Sequence, residues 1–218
     1  MTRHPVFTKR SSDVHYTIFH TPVVKTLLTW FSRAYLRVFG WKVEGALPEA
    51  RKFVMIAAPH TSNWDFPLTM FLSLAFGAKI YWMGKEGIFM KPFGSLMRWL
   101  GGVSVDRSRS NNVVAEMVEA YRGCDDLVVI IPPEGTRGRV SYWKTGFYHI
   151  AHGAGVPIVL GYVDYLRKAG GIGPVVWTTG DIEADMRVIR AFYDGVTGKY
   201  PDKHSSAGVD PSRSRKAA

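Results

Sequence analysis

A histidine and an aspartate stand five positions apart, directly after an apolar run, and their types and spacing suit proton transfer. They are His60 and Asp65, and the run is residues 53–58. Five positions along a helix turn a side chain through roughly 140°, so the pair meets only if His60 lies on a turn and Asp65 opens the next helix. Asp65 would then orient His60 as a general base. A buried histidine that simply bonds to an N-cap aspartate explains the spacing equally well.

A second polar cluster, residues 133–137 with the sequence PEGTR, follows the apolar run 127–131. Gly135 permits close approach of the backbone to a ligand, and Arg137 offers a planar fork of donors for a phosphate or carboxylate. Glu134 can bind a substrate hydroxyl or pair with an arginine. The loop is therefore interpreted as an anion site, with a polar surface turn as the alternative.

A third loop places another arginine after a short apolar segment. The sequence of residues 101–107 is GGVSVDR, which ends at Arg107. An arginine here predicts a second contact with an anionic substrate, although a solvated loop has the same composition.

The elements that carry these loops alternate between apolar strand patterns and helical patterns. This alternation predicts an α/β domain over residues 41–198, with a mixed, largely parallel sheet flanked by helices. Strands are expected at 53–58, 78–83, 103–105, 127–131, 156–162 and 175–178, and helices at 66–76, 93–100, 111–122, 144–152 and 182–193.

The two ends of the chain differ from this domain. Residues 1–20 are polar and are predicted to form an irregular leader, and residues 199–218 a basic disordered tail. Residues 21–40 predict an amphipathic helix with a basic stripe beside a broad apolar face. Such a helix suits a membrane surface, and it suits docking on the domain equally well.

The bulk composition limits the classes of function. A hydrophobic content of 46% excludes global disorder, and a formal net charge of +10 favours anionic partners. Cys124 is the single cysteine, so no disulfide can form within the chain. The longest uncharged apolar stretch, 66–78, is shorter than the roughly 20 residues of a spanning helix, and we expect a protein that lies on a membrane or is soluble. No metal-ligand spacing and no nucleic-acid-binding motif is present.

In this order the clusters resemble the glycerolipid acyltransferase family, of the lysophosphatidic acid acyltransferase type. The resemblance spans about residues 50 to 165 and four ordered motifs. The motifs are His60 with Asp65, Gly101 with Arg107, Pro133-Glu134-Gly135-Thr136-Arg137, and Val156-Pro157-Ile158.

The resemblance implies an O-acyltransferase that moves a fatty acyl group from acyl-CoA or acyl carrier protein to a lysophospholipid hydroxyl, most simply that of 1-acylglycerol-3-phosphate. His60 and Asp65 would be catalytic, while the acceptor would be bound by Arg107, Glu134, Gly135, Thr136 and Arg137. No cofactor or metal is implied beyond the acyl donor. The expected partners are the acceptor, the donor and an anionic membrane surface, and the expected location is peripheral, on the cytoplasmic face of the cell membrane.

Three alternatives stay open at this point. The acceptor could be a glycolipid, an ornithine lipid or glycerol-3-phosphate. The same dyad, His60 with Asp65, could hydrolyse an ester or thioester. A non-catalytic protein that binds lipid or nucleic acid would also carry the basic charge, although no nucleic-acid partner is expected.

Overall fold

The computed structural model describes residues 15–105, 110–206 and 208–210. They form a seven-stranded sheet in the order β1-β7-β6-β2-β5-β3-β4. Every neighbouring pair is parallel except β6 and β7. The predicted mixed, largely parallel sheet is therefore confirmed. The strands are β1 Lys42–Glu44, β2 Lys52–Ala58, β3 Tyr81–Lys85, β4 Gly102–Val105, β5 Leu127–Ile131, β6 Ile158–Asp164 and β7 Ala169–Val176.

Six α-helices lie in the described part of the chain, and they pack on both faces of the sheet. Helices α4, α5 and α6 cover one face, and α2 covers the other, with α1 packed on α2. Burial on both faces explains why the central strands read as continuous apolar runs. The helices are α1 Pro22–Val38, α2 Asp65–Phe76, α3 Gly94–Trp99, α4 Ser110–Gly123, α5 Gly146–Ala154 and α6 Ile182–Tyr193.

The parallel strands bring the predicted polar loops to one edge. β2 lies between β5 and β6, so the carboxyl ends of these three strands are adjacent. His60 follows β2, Glu134 follows β5, and Tyr165 follows β6. Open α/β sheets place their binding sites at such an edge.

The amphipathic helix is confirmed, and its two faces have different surroundings. Ser32 and Leu36 are buried against α2, while Arg33 donates to the carbonyl of Ala75 at 3.1 Å. An apolar stripe on the outer side stays exposed, by 65 to 78% of each side chain. Its members are Val23, Leu27, Trp30 and Val38. The helix therefore docks on the domain and still presents an apolar surface.

Both ends of the chain are more ordered than predicted where the structure describes them. A 3-10 helix, Ile18–His20, buries Ile18 and Phe19 in the core, so the predicted irregular leader is wrong there. In the predicted tail, Pro201–Lys203 is also a 3-10 helix, and Ser205 is buried and accepts from the amide of Val140. Residues 1–14 and 211–218 lie outside the described residues.

The remaining differences concern the extent of individual strands and helices. Only residues 175–176 of the predicted strand 175–178 are strand, and they end the longer β7, whose sequence AGGIGPVV is hard to recognise because Gly and Pro weaken a strand pattern. The short edge strand β1 was not predicted. Helix α5 ends at a left-handed Gly155 rather than at Gly153. None of the helices in the described residues is long and apolar enough to span a bilayer.

Candidate active site

The histidine and the aspartate of the first loop are in contact. Nδ1 of His60 lies 3.1 Å from Oδ2 of Asp65, because the loop turns between β2 and α2 and Asp65 is the first residue of α2. Nε2 of His60 has no hydrogen-bond partner among the residues that the structure describes, and 22% of this side chain is exposed. An imidazole held by a carboxylate at one nitrogen and open at the other is arranged as a general base.

The carboxylate of Asp65 is held by several donors. Oδ2 also accepts the backbone N–H groups of Thr61 and Ser62, each at 2.9 Å, and Oδ1 accepts the hydroxyl of Tyr165 at 2.8 Å. Asp65 is 5% exposed. A buried carboxylate needs such donors, and their fixed positions also fix the direction in which it faces His60. Burial, followed by the nearby charge of Asp65, raises the pKa of the Tyr165 hydroxyl, so it stays protonated as a donor.

Glu134 lies behind the histidine. It is 2% exposed, and its Oε2 accepts the backbone N–H of His60 at 2.8 Å. Among the described residues its Oε1 has no partner. This position does not fit the predicted direct contact with substrate, because the side chain is buried and supports the loop of His60 from inside. Burial, followed by the nearby charge of Asp65, raises the pKa of Glu134 to about 7. The hydrogen bond from the backbone N–H of His60 lowers this pKa but does not offset the burial.

The remainder of the second loop faces outward. Gly135, Thr136 and Arg137 line the same cavity as His60, and Arg137 is exposed. Gly135 has φ 66°, where a side chain would be strained, and a Cβ there would lie 3.0 Å from Cε of Lys144. The structure therefore places Lys144 beside this loop. Arg107, the predicted second arginine, lies outside the described residues.

An apolar cavity of about 470 Å³ opens at the dyad and runs between α2 and the sheet. Its volume is within the usual range for small-molecule sites. Its wall includes the polar residues His60, Asp65 and Arg137, and the rest of the lining is mainly apolar. Interior side chains include Met55, Phe66, Met70, Phe76, Ile80 and Ile130.

The chain matches the family model "Acyltransferase" over residues 41–160, more than half of its length. The chain belongs to the acyltransferase family. The matched region holds the dyad, the PEGTR loop and three of the strands that carry the cavity.

Curated relatives in this family carry one description. The 1-acyl-sn-glycerol-3-phosphate acyltransferase of Haemophilus influenzae is 31% identical over 140 residues, 60% of this chain and 56% of that protein. The Escherichia coli protein of the same description is 30% identical over 132 residues, 56% of this chain and 52% of that protein. The chain thus spans about half the length of the curated relatives it matches.

The fold is also that of a solved acyltransferase. The crystal structure of the 1-acyl-sn-glycerophosphate (LPA) acyltransferase PlsC from Thermotoga maritima superposes with a TM-score of 0.54 at 24% identity. The match covers 79% of this chain and 78% of that one. This likeness establishes the common fold.

Several residues of this acyltransferase-family site were not predicted from the sequence. Tyr165 is 100 positions from Asp65, and Lys85 enters the cavity wall from the end of β3. Their place at the carboxyl ends of predicted strands is the signal that could have found them. Within the described residues, no three His, Cys, Asp or Glu side chains are grouped to hold a metal ion.

Proposed function

We propose that the protein transfers a fatty acyl group from a thioester, acyl-CoA or acyl carrier protein, to the free hydroxyl of 1-acylglycerol-3-phosphate. The observation that carries this proposal is the position of the dyad. His60 stands at the opening of an apolar cavity suited to a hydrocarbon chain, with the cationic Arg137 on the same opening. Family membership and the descriptions of the curated relatives support the same reaction.

The reaction follows from the open nitrogen of the dyad. Nε2 of His60 takes the proton of the acceptor hydroxyl as its oxygen forms a bond to the thioester carbonyl carbon. The carbon–sulfur bond then breaks, and the leaving thiolate takes the proton back from His60. Asp65 stabilises the imidazolium that exists between the two transfers. No acyl-enzyme intermediate is needed, and Cys124 does not line the cavity.

The anionic head group of the acceptor would lie outside the apolar cavity. Arg137 is exposed at the opening, and Lys144 lies beside Gly135. A phosphate bound there by charge-assisted hydrogen bonds would hold the acceptor hydroxyl near His60. We assign Arg107 the same role from its motif.

An acyl-transfer assay tests the proposal directly. The full chain is incubated with labelled acyl-CoA or acyl carrier protein and with 1-acylglycerol-3-phosphate, glycerol-3-phosphate or a lysolipid without phosphate. We expect acylated lipid with the first acceptor. Free fatty acid as the main product would instead identify a hydrolase, and a preference for another acceptor would correct the substrate.

We also propose that α1 holds the enzyme on an anionic membrane, on the cytoplasmic face. Its exposed apolar stripe lies on the side away from α2, and Arg33 and Arg37 are exposed on the same helix. Apolar side chains beside basic ones favour the interface of an anionic leaflet.

Replacing two members of the stripe, Leu27→Ser with Trp30→Ser, should reduce sedimentation with anionic vesicles by at least tenfold. Burying one such side chain contributes about 1.5–3 kcal/mol, and two are lost. The matched control is Leu166→Ser with Val188→Ser, since both side chains are also exposed. Vesicle binding equal to that of the wild type would show that α1 only docks on the domain.

A further inference from the structure

The carboxylate of Asp65 is anchored on the side that does not face His60. Its Oδ1 accepts a hydrogen bond from the hydroxyl of Tyr165 at 2.8 Å, while the bond to His60 and both amide bonds use Oδ2. Tyr165 therefore restrains the rotation of the carboxylate about its Cβ–Cγ bond. A phenylalanine there would leave a nearly buried carboxylate oxygen without its donor.

Tyr165 itself is held by a segment near the C-terminus. Its backbone N–H donates to the carbonyl of Thr197 at 2.9 Å. Its ring packs edge-on against Trp41, with centroids 5.3 Å apart, and Nζ of Lys199 lies 5.5 Å from the ring centroid. These three contacts come from residues outside β2 and α2, and they help to fix the position of the hydroxyl.

The same segment packs against the loop that carries the dyad. The N–H of Tyr200 donates to Oγ1 of Thr61 at 3.2 Å, and Thr61 is 1% exposed. A Cβ on Gly198 would lie 2.8 Å from that oxygen and 2.9 Å from Cγ2 of Thr61. Because the amide of Thr61 donates to Asp65, displacement of Thr61 would displace the carboxylate as well.

We propose that Tyr165 and residues 197–200 are positioning elements of the active site, which fix the orientation of Asp65 toward His60. The proposal rests on the proposed function for its kinetic consequences. Neither element touches the substrate in this assignment. They act through Asp65, and they make residues that follow α6 necessary for turnover.

The first test is Tyr165→Phe, with Tyr148→Phe as its matched control. The Tyr148 hydroxyl also donates to a buried carboxylate at 2.8 Å, that of Asp185, but this pair joins α5 to α6 and neither residue lines the cavity. Tyr165→Phe should lower kcat by about tenfold or more, where tenfold is the lower end of the effect of one hydrogen bond to a charged group, and leave KM for both substrates within twofold. Tyr148→Phe should lower the melting temperature and leave kcat unchanged.

A double-mutant cycle distinguishes positioning from a general loss of stability. If Tyr165 acts through Asp65, Tyr165→Phe should cost less than twofold in the Asp65→Asn background, against about tenfold in the wild type. Equal costs in the two backgrounds would overturn the proposal, and so would an unchanged kcat for Tyr165→Phe.

A measurement without turnover separates this proposal from the proposed function. In the nitrogen-15 spectrum of the His60 ring, Asp65 should favour the tautomer with a proton on Nδ1. The share of this tautomer should fall in Tyr165→Phe and stay unchanged in Tyr148→Phe. A wild type that transfers no acyl group would refute the function alone, while equal tautomer shares in all three proteins would refute the positioning role.

Gly198→Ala tests the C-terminal segment, with Gly195→Ala as its control. A Cβ at Gly195 would meet only the carbonyl of Phe192, at an ordinary 3.8 Å, so this variant should keep its kcat. Gly198→Ala should lower kcat by several-fold at unchanged KM and shift the His60 tautomer in the same direction as Tyr165→Phe. Wild-type kcat and spectrum in a folded Gly198→Ala protein would exclude the segment from the positioning role.

Discussion

The two loops of the candidate site differ in how firmly their functional groups are held. In the first loop, Asp65 is nearly buried and accepts from the His60 ring, two amides and Tyr165. In the second loop, Arg137 is exposed and makes no hydrogen bond or ion pair with any residue that the structure describes. In the proposed reaction, the proton-transfer group is therefore positioned before substrate arrives, whereas Arg137 would adjust to its anion when the anion binds. Preorganisation matters most where charge develops during the reaction, which is the side of the dyad.

The largest effect should come from breaking the firmly held side. His60→Ala should reduce acyl transfer by about 10²–10⁴-fold, the usual contribution of a positioned general base. The fold should be retained, because the ring is partly exposed and its own backbone N–H, which Glu134 accepts, remains. Initial rates, with circular dichroism as the check on folding, measure this.

The control for this variant is His152→Ala. His152 lies on α5, outside the cavity lining, and bonds to Thr178. It should keep wild-type turnover. Turnover near the wild-type rate in His60→Ala would remove the general-base assignment and leave the dyad as a structural hydrogen bond.

The second prediction concerns the loosely held side. Arg137→Lys should lower kcat/KM for a phosphorylated acceptor by roughly 10- to 150-fold, because one hydrogen bond to a charged group contributes about 1.5–3 kcal/mol and lysine lacks the planar fork. KM for the acyl donor should change little. Saturation curves for both substrates measure the difference.

Arg139→Lys is the matched control, since Arg139 is exposed on the same loop and does not line the cavity. It should leave both curves unchanged. If Arg137→Lys moves only the donor curve, the loop binds the phosphates of the donor, and if neither curve moves, the loop is a surface turn.

The same contrast explains which parts of the site could be predicted from sequence. The contact of His60 with Asp65 is local, since a turn and a helix start bring the two together, and the pattern contains both. Tyr165 reaches Asp65 only because β6 pairs with β2, and a local sequence pattern does not predict which strands pair. Glu134 was predicted to bind a substrate hydroxyl or to pair with an arginine, and only the fold places it beneath the amide of His60.

The fold shows a similar division. The central strands were predicted because burial on both faces makes them continuously apolar. β7 was largely missed because its three glycines and one proline carry little strand pattern. Residues 199–206 were predicted as disordered from their polar composition. They are held in part by hydrogen bonds from the backbone, such as that from the N–H of Tyr200 to Oγ1 of Thr61. Amino-acid composition does not reveal such bonds.

The third prediction concerns the stability contributed by the residue that joins the two loops. Glu134 belongs to the second loop and bonds to the backbone of the first, and its raised pKa of about 7 compares with 4.5 for an ordinary glutamate. Folded protein therefore binds more protons than unfolded protein between about pH 4.5 and 7. Its contribution to stability is fully present below about pH 4.5 and is lost as the pH rises to about 7, by up to about 3 kcal/mol.

Glu134→Gln should remove this dependence, because the amide oxygen can still accept from His60 but cannot ionise. Urea unfolding of both proteins at pH 5, 6, 7 and 8 measures it, since the other titrating groups are common to both and cancel in the difference. The free energy of unfolding of the variant, relative to the wild type, should rise steadily from pH 5 to pH 7 and then level off. A difference that stays constant with pH would mean that Glu134 is ionised throughout this range. Its bond to His60 would then hold the two loops together as a permanent charge, and the rigidity of the dyad would not depend on pH.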